Sequence, residues 1–412
     1  MSSTRDGPPR ALPSVPILSL ASFRGPRRAT LPSLIDDTPA LLVSSGRIAI
    51  GLALRALAVG PGDVVLVPAY HSLSMIPPAH WLGARVVFYR VHLDTTADLD
   101  DIAAKLATEH VKAVIATHFF GFPQDLSGLR ALCDRYRAGL VEDCAHCFFG
   151  RHGTVAVGSS GDYAIGSSMK FFPIYEGGCL VSRRRFLGAL PVLPLRGAGT
   201  GFEAKAALNA IEASFAHGRL PALQMLLALP LQLKNMLWNR IKSHAAPAQD
   251  DAGLNAKSLA PSSSDSSFDF DPCWTDKRSS RFSQLVLRFA GRKRIVDLRR
   301  RNYVELARTL ENVPGWRPLF PVLPDGACPW VFPLLAEQPE AFCALLRANG
   351  VPMVRFGATL WPGVDASVCA NSVALGRQLI GLPCHQELSQ AELSRLATHV
   401  KHALAGSMAV PA

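Results

Sequence analysis

Four near-continuous apolar runs constrain this chain most: VVLVPAY (64–70), ARVVFYRV (84–91), KAVIATHFF (112–120) and AGLVEDCA (138–145). They lack the strict polar–apolar alternation of a strand with one wet face, and so suit strands covered on both sides. Between and before them lie helix-like segments, RIAIGLALRALAV (47–59) and LSGLRALCDRYR (126–137). Strand and helix in alternation predict an α/β fold with a mainly parallel sheet flanked by helices.

Composition narrows the function classes. Of 412 residues, 49% are hydrophobic and 18% charged, which excludes wholesale disorder. The greasiest stretch, 220–233, is interrupted by Pro221 and Pro230 and is shorter than the ~20 apolar residues of a spanning helix. A net charge of +11 fits anionic substrates, a membrane surface or nucleic acid. The basic cluster at 288–301 has no recognised nucleic-acid module beside it, so no nucleic-acid partner is expected. Nine cysteines form no disulfide framework, and the opening MSSTRDGPPRALPSVP lacks the charged-then-apolar order of a secretory signal; a cytoplasmic location is the expectation.

Composition shifts suggest four regions: a Pro/Ser/Arg-rich leader (1–35), a large α/β domain (36–185), a helical insertion (186–287) and a smaller C-terminal α/β domain (288–412). Within the insertion, 246–272 reads as an exposed or disordered loop. A single basic helical run is expected over 288–310, a strand over 330–337 and a closing helix over 390–404.

Phosphate loops, dinucleotide fingerprints, zinc-protease helices and nucleophile elbows are missing from the sequence. Cys144 and Cys147 form a CxxC without a second ligand pair, so no metal site is expected. Four motifs remain. SSGRIAI (44–50) puts Ser45, Gly46 and Arg47 at the mouth of a helix, either as a phosphate site or as an ordinary serine cap. VEDCAH (141–146) places Asp143 at the carboxyl end of a buried strand, where open α/β sheets keep their ligands. In GDYAIGSSMKFFPIYEGGCLVS (161–182), Lys170 sits among Met, Phe, Ile and Pro; dry surroundings favour its amine form, the state Schiff-base chemistry needs. The plainer alternative is a snorkelling lysine. IGLPCHQELSQAEL (380–393) reads as a turn leading into the last helix.

In order and spacing, SGR, PGDVVLVPAY, THFFGFPQDL, VEDCAH, the GD–Lys–EGG segment and LPCHQELSQAEL resemble the DegT/DnrJ-type sugar aminotransferases. These are pyridoxal 5'-phosphate enzymes with the aspartate aminotransferase fold. The resemblance runs from Ser44 to Ser182, resumes more weakly from Pro329 to His402, and leaves 186–328 poorly matched. It implies the fold-type-I architecture, with a seven-stranded sheet and a smaller C-terminal α/β domain. It implies that Lys170 holds the cofactor as a Schiff base and moves the proton, and that Asp143 pairs with the pyridine nitrogen. Ser45, Gly46 and Arg47 match the phosphate cup, where Arg47 either supplies a charge-assisted contact or points outward; Ser167 is a further phosphate candidate. It also implies a homodimer, an amino-acid donor (glutamate in most of the family) and a keto sugar nucleotide as acceptor.

The departures fall around that core. His146 stands where the family commonly has Gln, and an imidazole still suits the phenolic oxygen. The aromatic that stacks on the cofactor falls near Ser72, leaving Tyr70 or His71, with His71 preferred. Ile165 replaces a serine. RSSRFSQ (278–284), with Arg278 or Arg281, is the nearest match to an asparagine contributed by the partner subunit. Two other functions compete. A keto-sugar dehydratase would carry histidine in place of Lys170. A non-catalytic or membrane-associated partner protein would use the Leu-rich basic segment 219–242.

Overall fold

A computed structural model describes residues 10–36, 38–182, 194–226 and 270–409. Most of the 246–272 loop and of segment 219–242 lies outside the described residues. The large sheet is built from β1 (Ala40–Val43), β2 (Val64–Pro68), β3 (Arg85–Tyr89), β4 (Val111–Thr117), β5 (Gly139–Asp143), β8 (Tyr163–Ser167) and β9 (Gly178–Val181). A two-residue hairpin, β6 (Arg151–His152) and β7 (Val155–Ala156), sits between β5 and β8. The order across the seven strands is β1-β9-β8-β5-β4-β2-β3. The strands from β8 to β3 run parallel, and β9 pairs antiparallel with both β8 and β1. Every residue of β2 and β8 is buried, as the near-continuous apolar runs require. Each fully buried Val or Leu contributes about 1.5–3 kcal/mol.

Helices α1 (Gly46–Ala56), α2 (Pro77–Trp81), α3 (Leu99–Thr108) and α4 (Ser127–Tyr136) connect the parallel strands. Helix α1 buries Ile48 to Leu54 against Val65, Val141 and Leu180. The described part of the expected insertion contains α5 (Thr200–Ala216). The C-terminal part comprises α6 (Arg281–Phe289), α7 (Arg292–Leu310), β10 (Trp316–Pro318), β11 (Val331–Ala336), α8 (Pro339–Ala348), α9 (Ala366–Gln378), β12 (Leu379–Pro383) and α10 (Gln390–Met408). Its strands form an antiparallel sheet in the order β10-β11-β12. One core joins this sheet to the large one, since Phe332 and Leu382 pack in the same cluster as Leu66, Phe119 and Phe120.

One expectation changes. The helical run over 288–310 is two helices, broken at Ala290–Gly291. The leader causes the break: Gly291 donates its N–H to Ser22, at 2.9 Å, and a Cβ there would sit 1.9 Å from the Arg24 carbonyl oxygen. The leader itself, from Arg10, is a fitted strap. Ile17 and Leu34 are buried, and the Ser19 and Ser22 hydroxyls donate to Glu387, at 3.0 and 3.2 Å, beside the Arg294–Glu387 ion pair of 2.6 Å. No described helix is long and apolar enough to cross a membrane.

Candidate active site

Parallel strands leave their carboxyl ends open at one edge of the sheet, and the sequence motifs converge there. Ser45 caps α1, accepting from Ile48 N–H at 3.4 Å, and Gly46 begins the helix. Strand β9 runs hard against this turn: a Cβ at Gly178 would lie 2.3 Å from the Ser45 carbonyl carbon, so only glycine fits. Gly177 N–H donates to Ser44 at 2.7 Å, and Ser167 faces Gly46, with 3.5 Å between its Cβ and the position of a Gly46 Cβ. The buried hydroxyls of Ser44 and Ser168 have no hydrogen-bond partner. Free helix N–H groups and unpartnered hydroxyls together suit an anion. Ser45, Gly46 and Ser167 are thus neighbours, with Arg47 half-buried in the first turn of α1. The sequence reading missed Ser44 and Ser168, although each stands beside a chosen serine in an SS doublet.

Asp143 ends β5 and is buried. Its oxygens accept from Ala145 N–H at 2.8 Å and Thr117 Oγ1 at 3.2 Å. Burial nevertheless pushes its carboxyl above the usual range, against the pull of those donors and of the Lys170 charge. Lys170 closes the turn after β8. Burial lowers its amine to about 8, while Asp143 draws it back up. The Lys170 Nζ lies 4.6 Å from the ring centre of Trp330, and His146 stacks on the same indole at 4.0 Å and 28°. Burial and the Lys170 charge hold the His146 ring well below its usual value, and therefore neutral. Its Nδ1 is buried without a partner. A titratable amine, a buried carboxylate, an unpartnered imidazole nitrogen and an anion cup therefore meet at one sheet edge.

Residues 29–189 match the DegT/DnrJ/EryC1/StrS aminotransferase family. The chain is also similar to two curated proteins. One is the UDP-N-acetyl-3-dehydro-alpha-D-glucosamine 3-aminotransferase of Acidithiobacillus ferrooxidans, 35% identical over 32% of this chain and 34% of that protein. The other is the dTDP-3-amino-3,4,6-trideoxy-alpha-D-glucose transaminase of Streptomyces venezuelae, 34% identical over 33% of this chain and 34% of that one. The match therefore spans about a third of each relative's length. The fold is similar over much more of the chain. Helicobacter pylori PseC, an aminotransferase involved in the biosynthesis of pseudoaminic acid, superimposes with TM-score 0.59 at 15% identity, covering 90% of this chain and 88% of that one. An aminotransferase from Psychrobacter cryohalolentis gives 0.59 at 17% identity, over 90% and 89%.

His71 has different partners from those its expected stacking role would need. It is fully buried on Phe88, with ring centres 4.9 Å apart at 22°. Nδ1 lies 3.0 Å from Ala69 O and 3.2 Å from Pro68 O, and Nε2 accepts from Trp361 N–H at 3.0 Å. With both nitrogens engaged and burial lowering the ring to about 4, His71 is a neutral pin between β2 and the 361 turn. Tyr70 is no substitute: its hydroxyl donates to Phe356 O at 2.8 Å and its ring packs on Phe119. Trp330 and Phe356, which flank His146, are the aromatic residues the sequence reading missed. They come from the C-terminal part, and only folding brings them to the sheet edge.

Segment 278–284 packs within its own chain. Ser280 donates N–H and hydroxyl to Glu176 Oε1 at 3.1 and 2.7 Å, Arg278 bridges Val43, and Arg281 N–H donates to Glu203 at 2.8 Å. A cluster with metal-ligand residue types, His118, Glu142 and Cys144, also lies beneath the site. His118 Nδ1 accepts from Gln124 N–H at 3.1 Å, so Nε2 carries the proton and donates to Glu142 at 3.0 Å. Glu142 also takes N–H bonds from Gly158, Ser160 and Gly161. The trio is thus a structural hydrogen-bond knot, beside the buried thiols of Cys144 and Cys147.

Proposed function

We propose that this protein is a pyridoxal 5'-phosphate-dependent aminotransferase that moves an amino group from an amino acid, glutamate first, to a keto group of a nucleotide-linked sugar. The observation that carries the reading is the convergence of the Lys170 amine, the buried Asp143 carboxylate and three unpartnered polar atoms on one sheet edge. These atoms are His146 Nδ1, Ser44 Oγ and Ser168 Oγ. The set fits the cofactor group by group. The α1 mouth with Ser44, Ser45, Ser167 and Ser168 would bind a phosphate, Asp143 a protonated ring nitrogen, and His146 Nδ1 a phenolic oxygen. Lys170 would take the aldehyde.

Bound there, the cofactor supplies an electron sink for carbanion chemistry at the amino-bearing carbon. The chain's own residues do the rest. Asp143, held by Thr117 and Ala145, keeps negative charge fixed where a ring proton must stay. Lys170, with its amine lowered to about 8, has an appreciable neutral fraction near neutrality, so it can serve as a nucleophile and carry a proton over a short path. The Trp330 ring covers one side of the amine. The names of the curated relatives, which specify UDP- and dTDP-linked sugars, support a nucleotide-linked acceptor, and the net charge of +11 suits its diphosphate. A cytoplasmic homodimer serving polysaccharide synthesis completes the proposal. The dehydratase alternative lacks its histidine, because position 170 is lysine.

The test is an absorbance spectrum of the purified protein before and after glutamate. Cofactor bound through Lys170 gives a visible band that moves to the ultraviolet with the donor; Lys170→Ala abolishes the band. Wild-type protein that shows no band after incubation with pyridoxal phosphate refutes the proposal.

A further inference from the structure

The largest fully buried side chain among the described residues is a cation. Arg299, on α7, has no exposed surface, and among the described residues no carboxylate lies within ion-pair distance of it. Its neighbour Glu387 is bound instead by Arg294, Ser19 and Ser22. Burying a guanidinium is costly unless its N–H groups are met, and here they are met almost wholly by backbone. Nε donates to Gln386 Oε1 at 2.8 Å, Nη1 to Pro329 O and Trp330 O at 3.0 Å each, and Nη2 to Lys170 O at 2.8 Å. The guanidinium also lies 4.5 Å over the Phe171 ring, and Gln386 donates to Phe171 O at 2.8 Å. One turn further along α7, Asn302 donates to Cys384 O and His385 O, at 3.3 and 3.0 Å, so the helix clamps the loop that carries Gln386.

These acceptors belong to segments far apart in sequence: the turn that ends in Lys170, the start of β11 and the loop after β12. They have the reactive amine in common. Trp330, held at its carbonyl by Arg299, presents its ring face to the Nζ of the lysine whose own carbonyl Arg299 also holds. His146 stacks on the same ring.

We propose that Arg299 is the positioning residue of the site, locking Trp330 against Lys170 through one guanidinium and so keeping the lysine amine dry and in register. This deepens the reading of Lys170 as the reactive amine and rests on it. The titratable groups around the amine are Asp143 on β5, which draws its titration up, His146 after β5, and Tyr175 and His385, which line the same cavity as Lys170. None changes in the variants below. Lysine at position 299 keeps the charge but has no fork that can bridge three carbonyls.

The experiment is competitive acetylation of the full-length protein with acetic anhydride across pH, read at Lys170 by peptide mass spectrometry against exposed Lys401. It reports the lysine's own titration and needs no cofactor. In wild type the midpoint is expected at about 8. In Arg299→Lys, looser packing lets water reach the amine, and the midpoint rises by ~1 unit toward the ordinary lysine value. In Gln386→Met, which loses one acceptor for Arg299 and the bond to Phe171, it rises by about half as much. A merely structural role would lower the melting temperature and leave both midpoints in place; that result overturns the proposal. Should Arg299→Lys fail to fold, Gln386→Met alone decides on the same criterion. Borohydride trapping of pyridoxal phosphate on wild-type Lys170, run in parallel, tests the cofactor reading separately. Its failure refutes the proposed function while the acetylation midpoints still judge Arg299.

Discussion

Lys170 lies between two surfaces built in different ways. Its floor, the cup and Asp143, comes from strand ends and a helix mouth within residues 44–178, where short sequence motifs dictate the geometry. Its roof, Trp330 with Phe356 and the Arg299 fork, comes from the C-terminal part, and Arg299 joins it to the Lys170 carbonyl across 129 residues. The floor acts through charge and hydrogen bonds, whereas the roof excludes water. The two therefore pull the lysine amine in opposite directions, since Asp143 raises its titration and burial lowers it.

Asp143→Asn breaks the floor and should have the largest effect. Without the carboxylate the Lys170 midpoint falls below about 8, because the negative charge that draws the amine toward the ammonium form is gone. The glutamate half-reaction, followed by absorbance, should slow by roughly 100-fold or more, a decade for each ~1.4 kcal/mol of stabilisation lost. An unchanged Lys170 midpoint would show that the two groups do not interact.

That division also explains what the sequence revealed. The buried strands, the α1 mouth, Asp143 and Lys170 were legible because each depends on residues a few positions apart. A Val-rich run, a serine before glycine, or an acid at a strand end has only a few physical solutions. His71 was ambiguous, because a planar ring beside a strand end suits either stacking on a ligand or pinning a loop. The Trp361 N–H that favours pinning lies 290 residues away. Arg299 was one of several arginines in a basic run, and nothing local marks which of them turns inward. The division of 288–310 into two helices was hidden for a similar reason: Ser22 and Arg24 of the leader impose it.

Glu176 lies behind the cup and provides a test of the floor that needs no cofactor. Burial lifts its carboxyl from 4.5 to about 7, against the donors on Ser280 and Ser283. Its folded form therefore holds a proton more tightly than the unfolded chain does. The stability it contributes is fully present below pH 4.5 and is lost as pH rises through about 7. Glu176→Gln, which keeps an oxygen for Ser280, should match wild type near pH 4.5 and exceed it at pH 8 by up to ~3 kcal/mol in urea unfolding. Equal stabilities at pH 8 would mean that the carboxylate is better solvated than its burial indicates.

His71→Phe separates pinning from stacking. It keeps a ring on Phe88 but strands the Trp361 N–H, at a cost of about 2 kcal/mol in unfolding free energy. Capture of pyridoxal phosphate by Lys170 should be unaffected. A variant of unchanged stability with weakened cofactor capture would restore His71 to the ligand surface.

The smallest expected effect tests the roof directly. Trp330→Leu retains an apolar side chain but removes the face over Nζ and the stack on His146. Two consequences oppose each other: a lost cation–π contact disfavours the ammonium, while entering water favours it. Burial is the larger influence on this amine, so the midpoint should rise, opposite in sign to Asp143→Asn. The half-reaction should slow by only about tenfold, because the floor still holds every group that touches the chemistry. If both variants move the midpoint in the same direction, floor and roof are not separable, and the lysine responds to the site as a single electrostatic unit.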